Sequence, residues 1–245
     1  MSSEHRSHHG GHTRGILSAV AAVLVIAAAI VLVVAVRAQR HAPQPPASAA
    51  HPAAEQNAVP EPSGKSAAPS NSSPGSAPRS TTPHIVGPVL SRSKPVALDV
   101  PSIGIKNAKL VRYGQDRAGA ISIPPSRAGT PAGWYTGSPT PGEAGPSVIV
   151  GHVDSDSGPS IFFNLGKLRA GDRASVTLAD HKVAVFEVDS VERFKKADFP
   201  TLQVYGNIDH AGLRLITCGG PYDTSVHHYT DNIVVYAHLV SSHSV

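Results

Sequence analysis

Apolar and polar positions divide this chain into three regimes. From Ile16 to Val36 the residues read ILSAVAAVLVIAAAIVLVVAV, an unbroken apolar run with one serine and no charge. From 42 to 94 no period is visible. Beyond that, short apolar runs alternate with turn residues, and the period is two. VALDVPSIGI (96–105), broken by Pro101 and Gly104, predicts two short strands or one edge strand, with AKLVRYG (108–114) following. PSVIVGHV (146–153) is a short apolar run bounded by turn residues. RASVTLA and KVAVFEVDSVERF alternate well around Asp180–His181 and predict a hairpin. GLRLITC and DNIVVYAHL predict the last two strands. SIFFNLGKL (160–168) is the best helix candidate, a turn or two long. Many short strands with little helix predict an all-β barrel or sandwich.

The first run has the length of a membrane span: a helix of its size is roughly 30 Å long, the thickness of a hydrocarbon core. Secretory signal peptides have shorter apolar cores, although Val36–Ala38 imitates a cleavage site. Arginines flank the run on both sides, Arg6 and Arg14 against Arg37 and Arg40, so flanking charge does not orient it. The next stretch does more. Residues 42–94 hold 11 of the 22 prolines, with Ala and Ser filling most of the rest. Such a composition buries too little apolar surface to fold alone. As a tether it would span roughly 40 Å as a coil and up to about 160 Å as extended polyproline. The expected organisation is a cytoplasmic tail (1–15), a transmembrane helix (16–36), a disordered linker (37–94) and one globular domain (95–245). That domain would work outside the cytoplasmic membrane, in a wall or periplasm-like space.

Charge then removes a class of partner. The formal net charge is +4, but residues 1–41 contribute +3 and residues 42–94 contribute +2, which leaves −1 on the rest. The basic excess lies outside the globular part, so nucleic acid is not an expected partner. The tract His5–His12 is rich enough in histidine to bind a metal, although such tails are usually just solvated.

Candidate chemistry centres on Cys218, the only cysteine. It can make no internal disulfide, so it is either a buried apolar residue or a working thiol. It closes the strand LITC and is followed by Gly219 and Gly220, which would let backbone N–H groups approach a reacting carbonyl. A working thiol needs a base or cation beside it. His152, which closes VIVGH, is the best of the fourteen histidines. Its alternative is a structural strand-end histidine.

At these residues the chain resembles the sortases. LRLITCGG looks like the sortase signature TLxTC, with Arg214 standing where Thr is usual. VIVGHVDSDSGPSIFFNLGKLRAGD looks like the sortase histidine region. WYTGSPTPGEAGPSVIVGHVDS and LITCGGPYD…HYTDNIVVYA resemble the class F, and related class E, sortases of high-GC Gram-positive bacteria. The likeness spans about Val96–Leu239. It implies an eight-stranded β-barrel with short helices and a membrane-anchored cysteine transpeptidase. Its substrates would be surface proteins with an LPxTG-like sorting signal, and its acceptor a peptidoglycan-precursor amine. Cys218 would be the nucleophile and His152 the general acid and base. No cofactor is implied, and the scattered Asp154, Asp156, Asp198 and Asp209 do not compel a metal.

The resemblance also marks a departure. Class F sequences carry an arginine at the start of the last strand, which holds substrate and stabilises the oxyanion. Here HYTDN places Thr230 there. Thr donates one neutral hydrogen bond and supplies no cation. The candidates for support are Arg214, His227 and His228, with Thr230 and Gly219 as neutral donors, or a distant Arg such as Arg112 or Arg127. Otherwise the domain is slow or silent, a Cys–His peptidase or a binding module. The connection Lys195–Gly212 would form a substrate groove, with Phe199, Leu202 and Val204 lining it or simply capping the barrel.

Overall fold

The computed structural model of the chain describes residues 42–50 and 84–245. The expected membrane span lies outside them. Among the described residues no helix is long and apolar enough to cross a membrane.

Among the described residues eleven strands form: β1 (Pro95–Val100), β2 (Ile105–Lys109), β3 (Val111–Tyr113), β4 (Gly133–Tyr135), β5 (Gly145–Val150), β6 (Asp154–Ser155), β7 (Gly158–Pro159), β8 (Arg173–Leu178), β9 (Lys182–Lys195), β10 (Ala211–Asp223) and β11 (His228–Ser244). Nine of them make one sheet in the order β2-β1-β8-β9-β11-β10-β5-β4-β3, and β6 and β7 form a separate ribbon. The two end strands of that order, β2 and β3, are consecutive in the chain and separated only by Leu110. One bent stretch therefore holds both edges of the sheet: Leu110 N–H donates to Val96 O, and Val111 N–H to Ala132 O. The sheet closes on itself and leaves no long free edge. Counted with β2–β3 as one bent strand, eight strands make this barrel.

The hairpin expected around Asp180–His181 forms as β8–β9, with His181 at positive φ in the turn. The break at Pro101–Gly104 is a short 3-10 turn, closed by Gly104 in the left-handed region, which separates β1 from β2. SIFFNLGKL makes turns and a 3-10 segment at Leu165–Lys167 instead of an α-helix. Phe162, Leu165 and Leu168 there are all fully buried. The segment is a plug that sends Phe162, Leu165 and Leu168 into the barrel interior, not an amphipathic helix. Among the described residues the one α-helix, α1 (Thr201–Tyr205), lies in the connection between β9 and β10.

Two apolar layers result. The barrel interior holds Leu98, Ile149, Phe162, Phe186, Leu215 and Ile233. An outer layer holds Val148, Val150, Val204, Ile216, Val234 and Tyr236, with Phe194, Phe199 and Tyr205 packed on it. This outer layer explains the run at β5. All six of its residues are buried, because β5 is covered on both faces and lies parallel to β10.

Two stretches expected within the linker lie against the barrel. In one, Ala49 is buried in the barrel core and the Gln44 side-chain carbonyl accepts a hydrogen bond from Gly220 N–H at 2.9 Å. Pro43 O lies so close to Gly166 that a Cβ there would come within 2.1 Å of it. In the other, Val86 N–H donates to Asp209 O and Leu90 N–H to Gly142 O. Prolines suit both segments, since each lies outside the sheet and needs few N–H donors, the first ending in a 3-10 turn at Ala47–Ala49. Gly166→Ala should dislodge the first strap, and Gln44→Ala should remove about 1 kcal/mol of hydrogen bonding. Thermal unfolding should show Tm lowered by about 2–4 °C in Gln44→Ala and by more in Gly166→Ala. Unchanged values in both would mean that the strap contributes nothing to stability.

Candidate active site

Parallel pairing places the two chemical residues. β10 and β5 run in register from Ala211 with Gly145 to Ile216 with Val150. Gly151 N–H then donates to Ile216 O, which carries the ladder one step further. Cys218 lies two residues past Ile216, and His152 two residues past Val150. Neighbouring strands are about 4.8 Å apart and side chains alternate with period two. The thiol and the imidazole thus emerge on the same face, that of the outer layer, just past the end of the β5–β10 ladder. Cys218 does not close its strand as expected, because β10 runs on to Asp223 in its pairing with β11. Both are half-buried.

The imidazole is held from outside the sheet. His152 Nε2–H donates to Pro124 O at 2.8 Å. A carbonyl can only accept, so Nε2 carries hydrogen and Nδ1 is the nitrogen left to gain and lose a proton. Phe162 N–H donates to His152 O and ties the backbone to the buried plug.

Two residues on, Asp154 accepts a hydrogen bond from the Tyr229 hydroxyl, and Tyr229 packs edge-on against Tyr222. The β6–β7 ribbon is thereby pinned to the β10–β11 hairpin across the site. Burial, then the Asp154 hydrogen bond and charge, then the charge of nearby Cys218, push the Tyr229 pKa well above the ordinary phenol value.

The cation beside the sulfur is Lys196, whose Nζ donates to Cys218 Sγ at 3.6 Å. Arg214 is elsewhere. It is buried, stacked 4.5 Å above the Tyr236 ring, with Nη1 donating to Leu213 O. Its position four residues before Cys218 on one strand, about 13 Å away along the backbone, keeps it from the thiol. His228 starts β11 and His227 sits at positive φ before it, both exposed. Thr230 is exposed and its hydroxyl donates to Asp231 Oδ1. Arg112 and Arg127 are exposed on β3 and in the loop between β3 and β4.

The two glycines after the thiol are needed for packing. A Cβ on Gly219 would meet Ile233 at 2.7 Å, on the barrel side. Gly220 has φ +73, a Cβ there would meet the Asp231 carboxyl at 2.4 Å, and its N–H is already taken by Gln44. The Gly220 N–H is therefore not free for an oxyanion, contrary to the expectation from the glycine pair.

A groove of about 750 Å³ runs over the outer layer toward this pair. Ile121, Ile123 and Tyr135 line one side, Phe199 and Tyr205 the other, and Asn232 lies at its floor. Asn232 is the direct cross-strand partner of Cys218, so the groove reaches the residue beside the thiol. Of the three expected lining residues only Phe199 lines it. Val204 is fully buried beneath, and Leu202 is 86% exposed on the far side of α1. A one-turn helix separates these residues by about 100° per step, a rotation that strand-like reading of the segment misses.

The Ile121–Ile123 wall and the Pro124 carbonyl were not expected from sequence. Their signal is AISIPPS (120–126), an apolar pair before two prolines. Lys196 was also missed, although KK at Lys195–Lys196 directly follows the alternating run of β9.

A sortase-domain family model matches residues 98–240, more than half of the chain. The chain belongs to the sortase family. A comparison with curated proteins found no match. Among solved structures, sortase A from Corynebacterium diphtheriae (a lid mutant) is 22% identical, with a TM-score of 0.46, over 62% of this chain and 73% of that one. Sortase A from Actinomyces oris is 22% identical, with a TM-score of 0.47, over 68% and 90%. Sortase A from Listeria monocytogenes is 20% identical, with a TM-score of 0.45, over 62% and 91%.

Within this sortase the buried phenols set a limit at high pH. Burial first, then the charge of Glu192, raises the Tyr236 pKa far above normal, against the opposing effect of Arg214. Tyr229 is raised too. The folded chain therefore keeps phenolic protons that the unfolded chain loses near pH 10. Stability is complete below about pH 10 and falls as pH rises above it. Tyr236 also leaves its hydroxyl without a partner. Tyr236→Phe should keep or raise stability at pH 7 and move the midpoint of alkaline unfolding upward, measured by circular dichroism. An unmoved midpoint would contradict this assignment.

Proposed function

We propose that this protein is a membrane-anchored cysteine transpeptidase of the class F type. In this reading residues 16–36 span the cytoplasmic membrane and the barrel lies on the extracellular side. It cleaves an LPxTG-like sorting signal between Thr and Gly and transfers the protein to a peptidoglycan-precursor amine. The observation that carries the reading is the β5–β10 register, with the thiol and the imidazole two residues past its last pair on either strand, beside an apolar groove.

The chemistry follows from those groups. The Cys218 thiolate attacks the Thr carbonyl carbon, and the C=O electron pair moves onto oxygen. Collapse of this tetrahedral species breaks the C–N bond, and imidazolium at His152 gives its proton to the departing Gly nitrogen. A thioester remains on Cys218. An incoming amine attacks that carbonyl, His152 takes the amine's proton, and the thiolate leaves as the new amide forms. Covalent catalysis by a good leaving thiol divides one difficult amide exchange into two easier steps. The side chains of Leu and Pro in the signal fit the groove's Ile121, Ile123 and Phe199.

An LPxTG peptide incubated with the protein, with and without an amine, tests this by mass spectrometry. The expected product with amine is the transferred peptide. Cys218→Ala should reduce it to background, and His152→Ala should slow it about 10²–10⁴-fold. Product that is only hydrolysed, whatever the amine, would make the protein a Cys–His peptidase. No reaction with the peptide or with a thiol-directed peptidyl warhead would make it a silent binding module. Turnover unchanged in Cys218→Ala would remove the thiol from the chemistry altogether.

A further inference from the structure

Cys218, Asn232 and Phe194 form one row across β10, β11 and β9. The next paired row joins Asp231 of β11 to Lys195 of β9. Continued by one residue, the register brings Thr230 and Lys196 side by side, on the face that carries Cys218. The turn beginning at Lys196 packs on β11. From there the lysine stem crosses β11 and its Nζ reaches the sulfur on the far strand at 3.6 Å.

The path is open because of what lies under it. Thr230 is short, and its hydroxyl is turned to Asp231 Oδ1. Asp231 is also paired with Arg193, whose Nε lies 3.4 Å from Oδ2. Asp231, the acid next to Thr230 on β11, is thus already matched and does not draw the lysine away from the thiol. No carboxylate forms a salt bridge with Lys196 among the described residues.

We propose that Lys196 is a catalytic residue, the cation that holds negative charge on Cys218 and on the tetrahedral oxygen next to it. The proposal rests on the transpeptidase reading for the oxygen, but not for the sulfur. The ammonium transfers no proton in either step. It is a point charge with three donors, enough to serve the sulfur and the adjacent oxygen in turn. In effect the charge expected on β11 at Thr230 is carried by the turn that follows the neighbouring strand β9, and the small residue at 230 is the condition for it to reach across.

Two readouts test this. Alkylation of Cys218 by iodoacetamide at neutral pH needs no peptide, and so is independent of the transpeptidase reading. Lys196→Met should slow it several-fold, with Lys196→Arg close to the wild type. In the peptide assay Lys196→Met should lower kcat/KM about 10²–10³-fold, the usual loss on removing an oxyanion donor. Adding Thr230→Arg to Lys196→Met should restore a large part of both, since a cation at 230 stands one strand nearer to the sulfur. Alkylation and turnover within twofold of the wild type in Lys196→Met would overturn the proposal. So would a loss that Thr230→Arg and Lys196→Arg both fail to recover. A full-length Lys196→Met with unchanged Tm excludes misfolding, as expected for an exposed side chain.

Discussion

The parallel pairing of β5 with β10 is the constraint on which the site depends. Every other neighbour of β10 and β5 in the sheet is antiparallel. Parallel partners run the same way, so the residues two past the last pair of this ladder, His152 and Cys218, 66 apart in the chain, emerge together. The pairing is buried on both faces, by the barrel core at Ile149 and Leu215 and by the outer layer at Val150 and Ile216. A slip of one residue would exchange these faces and turn the thiol into the barrel. Packing on two sides makes that slip costly, and so the register of the chemistry is fixed by apolar contacts remote from the reacting atoms.

Around that pair, charge and restraint come from different elements. The turn after β9 supplies the lysine, the loop before β4 supplies the carbonyl that orients the imidazole, and the β6–β7 ribbon is fastened to the β10–β11 hairpin through Asp154 and Tyr229. Arg214 is a cation of another kind. Burial lowers its pKa and the Tyr236 face receives its charge, so it stabilises the outer layer and takes no part at the sulfur. The site is thereby a meeting of several chain segments, strands, a turn and a loop, on one sheet.

Much of this was legible in sequence. Period-two alternation located β8, β9, β10 and β11, and the buried run located β5, because each of these strands has at least one apolar face. Cys218 and His152 were singled out from sequence, and the β5–β10 register brings them to one face, although β10 continues past the cysteine. The failures share a cause. SIFFNLGKL was read as a helix because its apolar residues cluster, but the cluster fills the barrel end, and tertiary burial decided the conformation. Leu202 and Val204 were read as one lining face, which α1 rotates apart. The strap at 42–50 has the composition of a linker and docks all the same through Gln44 and Ala49, contacts that no local pattern announces. Lys196 depends on strand order, since β11 must stand between β9 and β10, and neighbour order is invisible to a reading along the chain.

The most direct measurement of the central claim is the intact mass of the protein after brief exposure to an LPxTG peptide without amine, followed by peptide mapping. The account predicts an adduct equal to the peptide's amino-terminal part through Thr, located on Cys218, and discharged when an amine is added. An unmodified thiol, or an adduct on any other residue, would contradict it.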